Sequence, residues 1–101
     1  MNELKVRFQP VAAEELEAAI LWYRERSPRA AQRFFDEAHA VVAAVEEAPF
    51  RWPIFEGEAR RILFPHFPYQ LIYRIRPAWI EAIGLAHGRR RPGYWKSRTN
   101  S

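Results

Sequence analysis

The residues whose types and spacing could do chemistry are concentrated near the C-terminal end of the sequence. A histidine is followed by three consecutive arginines and then by two aromatic residues, so that the cluster comprises His87, Arg89, Arg90, Arg91, Tyr94 and Trp95. Arginine keeps its proton and cannot be a general base, but it binds phosphate bidentately and stabilises charge that develops on it. Histidine titrates near neutral pH, although a lone histidine is more often structural. As a hypothesis about reaction class, this combination suits RNA cleavage by attack of the neighbouring 2′-OH.

Other kinds of site are excluded by what the sequence lacks. The histidines His39, His66 and His87 are too isolated for a recognisable metal-ligand spacing. There is no Gly-rich phosphate loop, and no serine stands in a nucleophile motif. The absence of cysteine removes both a thiolate site and a disulfide framework, which is compatible with a reducing compartment. We therefore expect neither a metal nor a cofactor.

Strands must position this cluster. Residues 69–76 alternate, which places Gln70, Ile72 and Arg74 on the face opposite to Tyr69, Leu71 and Tyr73. Residues 79–87 alternate too, and strict alternation places Ile83, Leu85 and His87 opposite to the smaller set Ile80, Ala82, Gly84 and Ala86, which can lie under a helix. The link between the two runs is too short for a parallel crossover, which predicts an antiparallel hairpin. A third strand is predicted from Arg61 to Phe64, because Pro65 removes a ladder donor.

The first half of the chain predicts one strand and two helices. Alternation at residues 4–8 predicts a strand, and the apolar spacing of residues 12–26 predicts helix one. Ser27 and Pro28 predict a break and a restart, with serine as N-cap and proline at the first helical position of a helix that runs to Pro49. So short a link predicts an antiparallel helical hairpin. Residues 49–59 are predicted to be an ordered loop.

Grouped helices and grouped strands predict an α+β fold: an N-terminal strand, an antiparallel helical hairpin, then a three-stranded antiparallel meander. With 101 residues, 49% of them apolar, the chain is predicted to be one domain, 1–101, in which residues 96–101 fray. The N-terminal sequence lacks the apolar region of a signal peptide, and no run of about 18 apolar residues occurs. We expect a cytoplasmic protein with no membrane partner.

The net charge of +4 hides an asymmetry between the two halves. Residues 1–58 carry 7 Lys and Arg against 11 Asp and Glu, which gives −4, whereas residues 59–101 carry 9 against 1, which gives +8. Most charge runs are solvated surface. Here the positive charges are interleaved with aromatic residues, which favours a polyanionic or acidic partner.

The order of these motifs carries a resemblance. A strand ending VRFQP, a helical hairpin, RRILFPHFPYQLIYRI, a short turn and IEAIGLAHGRRRPGYW together resemble the RelE/ParE superfamily of toxins from type II toxin-antitoxin pairs. The resemblance implies a compact α+β toxin that is bound and silenced by a cognate antitoxin. Two activities occur in the superfamily: ribosome-dependent cleavage of mRNA, and inhibition of DNA gyrase without nuclease chemistry. The fold alone does not choose between them.

Individual positions can be matched to the ribonuclease branch. Gln70 stands where that branch usually has a basic residue, and Arg89 matches a second catalytic arginine. Trp95 falls where a catalytic tyrosine is often found, with Tyr94 adjacent, and Arg74 lies on the same strand face as Gln70. The resemblance therefore predicts a catalytic set of Arg89, His87, Tyr94 and Arg74, with nucleic acid bound by Arg61, Arg74, Arg90, Arg91 and Trp95.

We accordingly expect a toxin that arrests growth by ribosome-dependent mRNA cleavage and is neutralised by its antitoxin. The alternatives are a gyrase inhibitor without nuclease activity and a decayed, non-toxic binding module. The expected antitoxin has an amphipathic helix and an acidic balance, and docks on the basic C-terminal half. Such a complex should weaken with salt, whereas salt-independent affinity would indicate apolar burial around Trp22, Trp52 and Phe55.

Overall fold

The computed structural model describes residues 3–99. Within them the chain forms, in order, β1 (Val6–Phe8), α1 (Pro10–Arg26), α2 (Pro28–Glu47), β2 (Ile54–Glu56), β3 (Ala59–Leu63), β4 (Tyr69–Ile75), β5 (Ile80–His87) and a 3-10 helix (Lys96–Thr99). The predicted α+β class is confirmed.

A single residue, Ser27, joins the two helices and caps both. Its N–H donates to the Tyr23 carbonyl at 2.7 Å, which ends α1. Its Oγ accepts from the Ala30 N–H at 3.1 Å, which starts α2. Proline begins each helix, where its missing N–H has no intrahelical partner to lose. No helix in residues 3–99 has the length and apolar composition needed to cross a bilayer.

The sheet is five-stranded and mixed, with strand order β1-β5-β4-β3-β2. The hairpin of β4 and β5 and the antiparallel pairing of β3 with β4 match the sequence prediction. The N-terminal strand is the difference, because β1 lies parallel to β5 and Val6 is opposite Ile80. Because β1 is an edge strand, backbone N–H groups on its outer side have no strand partner. The Val6 N–H instead donates to Glu46 Oε2 at 2.9 Å.

The second difference is strand β2, in the segment predicted to be a loop. It pairs antiparallel with β3 through a turn at Gly57, whose φ of 59° is the left-handed conformation that favours glycine. All three residues of β2 are exposed, so they carry no alternation between buried and exposed positions. Without that alternation, and with prolines at positions 49 and 53, residues 54–56 show no strand periodicity that could be detected beforehand.

A β-bulge at Ile83 corrects the predicted faces of β5. Ile72 is opposite Gly84 while Tyr73 is opposite Ala82, so Ile83 is an extra residue between two pairs. Beyond Ile83 the residues lie on the faces opposite to those predicted by strict alternation, because one inserted residue exchanges the faces of all residues that follow. Leu85 therefore shares the face of Ala82.

Each face of the sheet has its own apolar cluster. On the helix face, α1 and α2 pack on the sheet around the buried Phe34, Leu71, Tyr73 and Leu85. On the opposite face, which we call the tail face, Ala59, Ile72 and Ile83 are covered by Trp95, with Tyr94 packed beside them. The segment after β5 thus crosses the second face of the sheet.

The tail predicted to fray is bonded to the body over residues 96–99. The Arg98 carbonyl accepts from Gln9 Nε2 at 3.0 Å, and its guanidinium pairs with Glu15. The Thr99 carbonyl accepts from Arg74 Nη1 at 3.3 Å. These bonds attach residues 96–99 to the body of the domain, whereas the prediction of fraying considered only position in the chain. Residues 100 and 101 lie outside the described range.

The tail packs so closely on β5 that Gly84 has no room for a side chain. A Cβ at Gly84 would lie 2.6 Å from the Tyr94 hydroxyl oxygen and 3.2 Å from Arg98 Nη1. We expect Gly84→Ala to lower the free energy of unfolding, measured by urea denaturation, by about 1–3 kcal/mol. Gly88→Ala is the matched control, because its Cβ would meet the Pro68 carbonyl at an ordinary 3.7 Å. Tyr94→Phe removes the clashing oxygen, so a Gly84→Ala cost unchanged in that background would contradict the explanation.

Candidate functional site

The turn that follows β5 holds the predicted histidine. His87 is exposed and lies opposite Tyr69, with ring centroids 5.4 Å apart in an edge-to-face arrangement. Its Nδ1 accepts from the Arg89 N–H at 3.1 Å. The Gly88 N–H donates to the Pro68 carbonyl at 2.8 Å, and the Arg90 N–H donates to the His87 carbonyl at 2.9 Å. These bonds fix the backbone from which the arginines project.

The three arginines of this turn are exposed but differ in their partners. Arg90 lies over the Tyr94 ring at 4.2 Å and is 3.6 Å from Glu15 Oε2. Among residues 3–99, neither Arg89 nor Arg91 forms an ion pair. An exposed arginine without a carboxylate partner is available to an anion on another molecule.

Strand register assigns the remaining candidates to a face, because cross-strand partners project to the same side. Tyr69, the partner of His87, packs against the helices, so His87 projects to the helix face. Arg61 is opposite Ile72, which packs under Trp95, so Arg61 projects to the tail face. Its guanidinium lies 4.7 Å from the centre of the Phe55 ring. The sheet therefore separates Arg61 from His87.

Arg74 does not lie in the exposed basic cluster. It is 5% exposed, and its Nε donates to Glu81 Oε1 at 2.5 Å. Burial alone would raise the pKa of Glu81, but hydrogen bonds from Arg74 and Gln9 outweigh it and hold that pKa below its ordinary value. The structure corrects the expectation that Arg74 is open to a phosphate, because its charge is buried and already paired.

The two aromatic candidates are part of the packed tail. Trp95 is 4% exposed, so its ring is not available for stacking with a nucleic-acid base. The Tyr94 hydroxyl is buried against Gly84. Burial, with a smaller contribution from the charge of Glu15, raises the pKa of Tyr94 to about 12 although Arg98 and Arg90 oppose the shift. A phenol with that pKa is a poor proton acceptor at neutral pH.

No group of three or more His, Asp or Glu side chains in residues 3–99 is arranged to hold a metal ion. The carboxylates near the candidate site instead pair with arginines of the same chain.

Comparison with known families decides where this chain belongs. The sequence matches the family described as ParE toxin of type II toxin-antitoxin system, parDE, over residues 6–92. The chain belongs to the ParE toxin family. The predicted RelE/ParE superfamily is thereby confirmed, and a toxin of this type has a cognate antitoxin as its partner. The matched range runs from β1 through the basic turn and ends before Tyr94.

A solved structure supports the ParE fold independently. A chain described as belonging to the chromosomal ParDE TA system from P. aeruginosa superposes with a TM-score of 0.74 at 15% identity. The match covers 84% of this chain and 96% of that chain. At this identity the likeness establishes the fold alone. No curated protein matches the sequence.

Glu15, which connects α1 to this ParE-family site, was not identified from the sequence. Its Oε1 accepts from the Leu85 N–H at 3.0 Å and from Arg98 Nη1 at 2.9 Å, while Oε2 accepts from Arg98 Nη2 at 3.0 Å. One carboxylate thus connects α1, β5 and the tail. Glu15 stands among other glutamates, and nothing in that run distinguishes it from a solvated residue.

A ParE-family toxin also needs a surface for its antitoxin, and the helical hairpin exposes apolar side chains. Leu21, Trp22 and Phe35 are 46%, 48% and 41% exposed. A groove of about 400 Å³ between the helices is lined by Ile20, Ala31 and Phe35, with Arg24 at its side. Trp52, by contrast, packs against the helix-face core. Exposed apolar side chains therefore lie on the helices, and others, Phe50, Ile54 and Leu63, lie on or near β2 and β3.

Proposed function

We propose that this chain is the toxin of a type II toxin-antitoxin pair and that it arrests growth by inhibiting DNA gyrase in the cytoplasm, without cleaving RNA. From the sequence, mRNA cleavage was the expected activity and gyrase inhibition an alternative; the proposal makes gyrase inhibition the expected activity. A gyrase inhibitor acts by surface contact, so it requires a fold and a recognition surface but no assembled catalytic groups.

The dispersal of the candidate RNA-cleaving residues carries this proposal. His87 projects to the helix face, Arg61 to the tail face, and Arg74 is paired with Glu81 inside the protein. Phosphate cleavage requires the acid, the base and the cationic groups within hydrogen-bonding reach of one phosphate. Tyr94 cannot serve as a base at neutral pH, since burial raises its pKa to about 12. Membership of the ParE family rather than the ribonuclease branch supports the same choice.

The order in which cellular processes stop after induction tests the proposal. We expect incorporation of labelled thymidine to fall before incorporation of labelled amino acids, because gyrase inhibition blocks replication directly. In a purified system, supercoiling by gyrase should fall as the toxin is added and recover when the cognate antitoxin is added in excess. Toxin unfolded by heat before addition is the control for non-specific inhibition.

Two outcomes would contradict gyrase inhibition and identify the alternatives. Translation that stops first, together with cleaved mRNA, would support the ribonuclease function despite the dispersed residues. No arrest, with gyrase unaffected by folded protein, would support a decayed, non-toxic binding module.

A further inference from the structure

A groove of about 490 Å³ lies between α1 and the carboxyl end of β5, on the helix face. One wall is α1, where Ala18 and Ala19 leave room because they carry only methyl groups. Glu15 and Trp22 lie seven residues apart on the same wall, which separates their backbones by roughly 10 Å along the helix. The other wall is formed by the end of β5 and the basic turn. Of the residues predicted to bind RNA, Arg90 lines this groove, whereas Arg61, Arg74 and Trp95 lie on the opposite face.

Aromatic rings line this groove from both sides. Trp22 is 48% exposed, which is unusual for so large an aromatic side chain, and it is not part of the buried core. Tyr69 and His87 lie in edge-to-face contact on the facing wall. The Arg26 guanidinium lies 3.7 Å from the centre of the Trp22 ring and braces the indole from its own helix. A planar ring that enters the groove therefore meets an exposed, supported aromatic surface.

The charge of the groove is positive although it contains a carboxylate. Glu15 is neutralised by its two bonds to Arg98, at 2.9 and 3.0 Å. Arg89 and Arg90 lie on the rim, and within the described residues Arg89 has no carboxylate partner. The complementary ligand combines a planar ring with negative charge next to it, which is the chemistry of a nucleotide.

We propose that this groove binds single-stranded nucleic acid, with a base stacked on Trp22 and the adjoining phosphates held by Arg89 and Arg90. A single strand is required because the bases of a duplex are already stacked and paired, whereas unpaired bases are free to stack on side chains. The groove binds the strand without cleaving it. Binding is tested on the purified chain without gyrase, so its result does not depend on whether the chain inhibits gyrase.

Binding is measured by fluorescence anisotropy of labelled oligothymidylate and oligouridylate, titrated with the purified chain at low salt. We expect binding, with Trp22→Ala weakening it at least about fivefold because base stacking is lost. Trp22→Phe should restore most of the affinity, since a smaller ring still stacks. Arg89→Ala should also weaken binding and reduce the slope of log affinity against log salt by about 0.7, which corresponds to one phosphate contact on a single strand. A difference between the two oligonucleotides would tell whether DNA or RNA is preferred.

Each control variant removes an exposed aromatic or arginine side chain that does not line the groove. Phe35→Ala removes an aromatic ring of similar exposure from the other side of the hairpin, and Arg29→Ala removes an exposed arginine from α2. Both should leave affinity unchanged. The proposal fails if neither oligonucleotide binds, if Trp22→Ala binds like the parent chain, or if Arg29→Ala weakens binding as much as Arg89→Ala. Binding of an acidic peptide to the groove without binding of either oligonucleotide would also overturn it.

Discussion

Replacing Glu15 with alanine is expected to lower the free energy of unfolding by about 3 kcal/mol or more. The side chains of Glu15 and Arg98 are each 15% exposed and share two hydrogen bonds, so removing the carboxylate leaves a largely buried guanidinium unpaired. The Leu85 N–H loses its acceptor in the same substitution, which adds the cost of an unsatisfied buried donor. The expected loss is a large part of the stability of a domain of this size.

Urea denaturation of Glu15→Ala beside Glu14→Ala measures this effect. Glu14 is on the same helix turn but exposed, so its replacement should change stability by no more than about 0.5 kcal/mol. Equal midpoints for the two variants would mean that Trp95 packing and the bonds from Gln9 and Arg74 hold the tail without help from Glu15. A double-mutant cycle with Arg98→Ala then isolates the energy of the pair.

Replacing Arg74 with alanine is expected to destabilise the protein by about 3–5 kcal/mol, because it leaves the Glu81 carboxylate in a poorly solvated position without its cation. The two side chains are 6% and 17% exposed. The double variant Arg74→Met with Glu81→Leu replaces both charges with apolar groups and should recover most of that loss. If Arg74 is structural, the double variant also keeps the ability to arrest growth. Lost growth arrest in a variant that is folded and stable would return Arg74 to the functional site.

The same pair predicts how stability depends on pH. The pKa of Glu81 in the folded protein lies below its ordinary value of 4.5, so folding favours the ionised carboxylate. The stability that this group contributes is therefore complete above about pH 4.5 and is lost as the pH falls through the folded pKa. The double variant lacks this contribution, so its stability should fall less steeply in acid than that of the parent chain. Parallel acid titrations would contradict the assignment to Glu81.

Much of the fold follows from local sequence patterns. The helices are encoded by apolar spacing and by the Ser27-Pro28 break, and the hairpin of β4 and β5 by alternation on both sides of a short turn. The pairing of β1 with β5 is not encoded locally, because Val6 and Ile80 are far apart in sequence and nothing in either segment selects its neighbour. The bulge at Ile83 escapes pattern analysis since one extra residue leaves composition unchanged.

The candidate site was harder to predict because sequence does not give burial. Exposure of the basic turn could be inferred from its composition, whereas Arg74 and Trp95 resemble surface ligands until the structure buries them. A signal for the Arg74 pair was present, since Glu81 is the only acidic residue in 59–101 and the hairpin places it opposite Arg74. Trp22 was identified from the sequence only as a possible apolar contact for the antitoxin, because an indole on an amphipathic helix is ordinarily assigned to the core and nothing marks it as a surface for stacking a base.

The bonds between the tail and α1 also determine when the protein can finish folding. Gln9 and Arg98 are 89 residues apart in sequence, and Glu15 and Arg98 are 83 apart. Contacts of such separation close a loop of nearly the whole chain, so their entropic cost precedes their benefit and they slow folding. During synthesis, Glu15 has no Arg98 to bind until almost the entire chain has emerged from the ribosome. The groove that Glu15 lines is therefore completed only after translation of the tail.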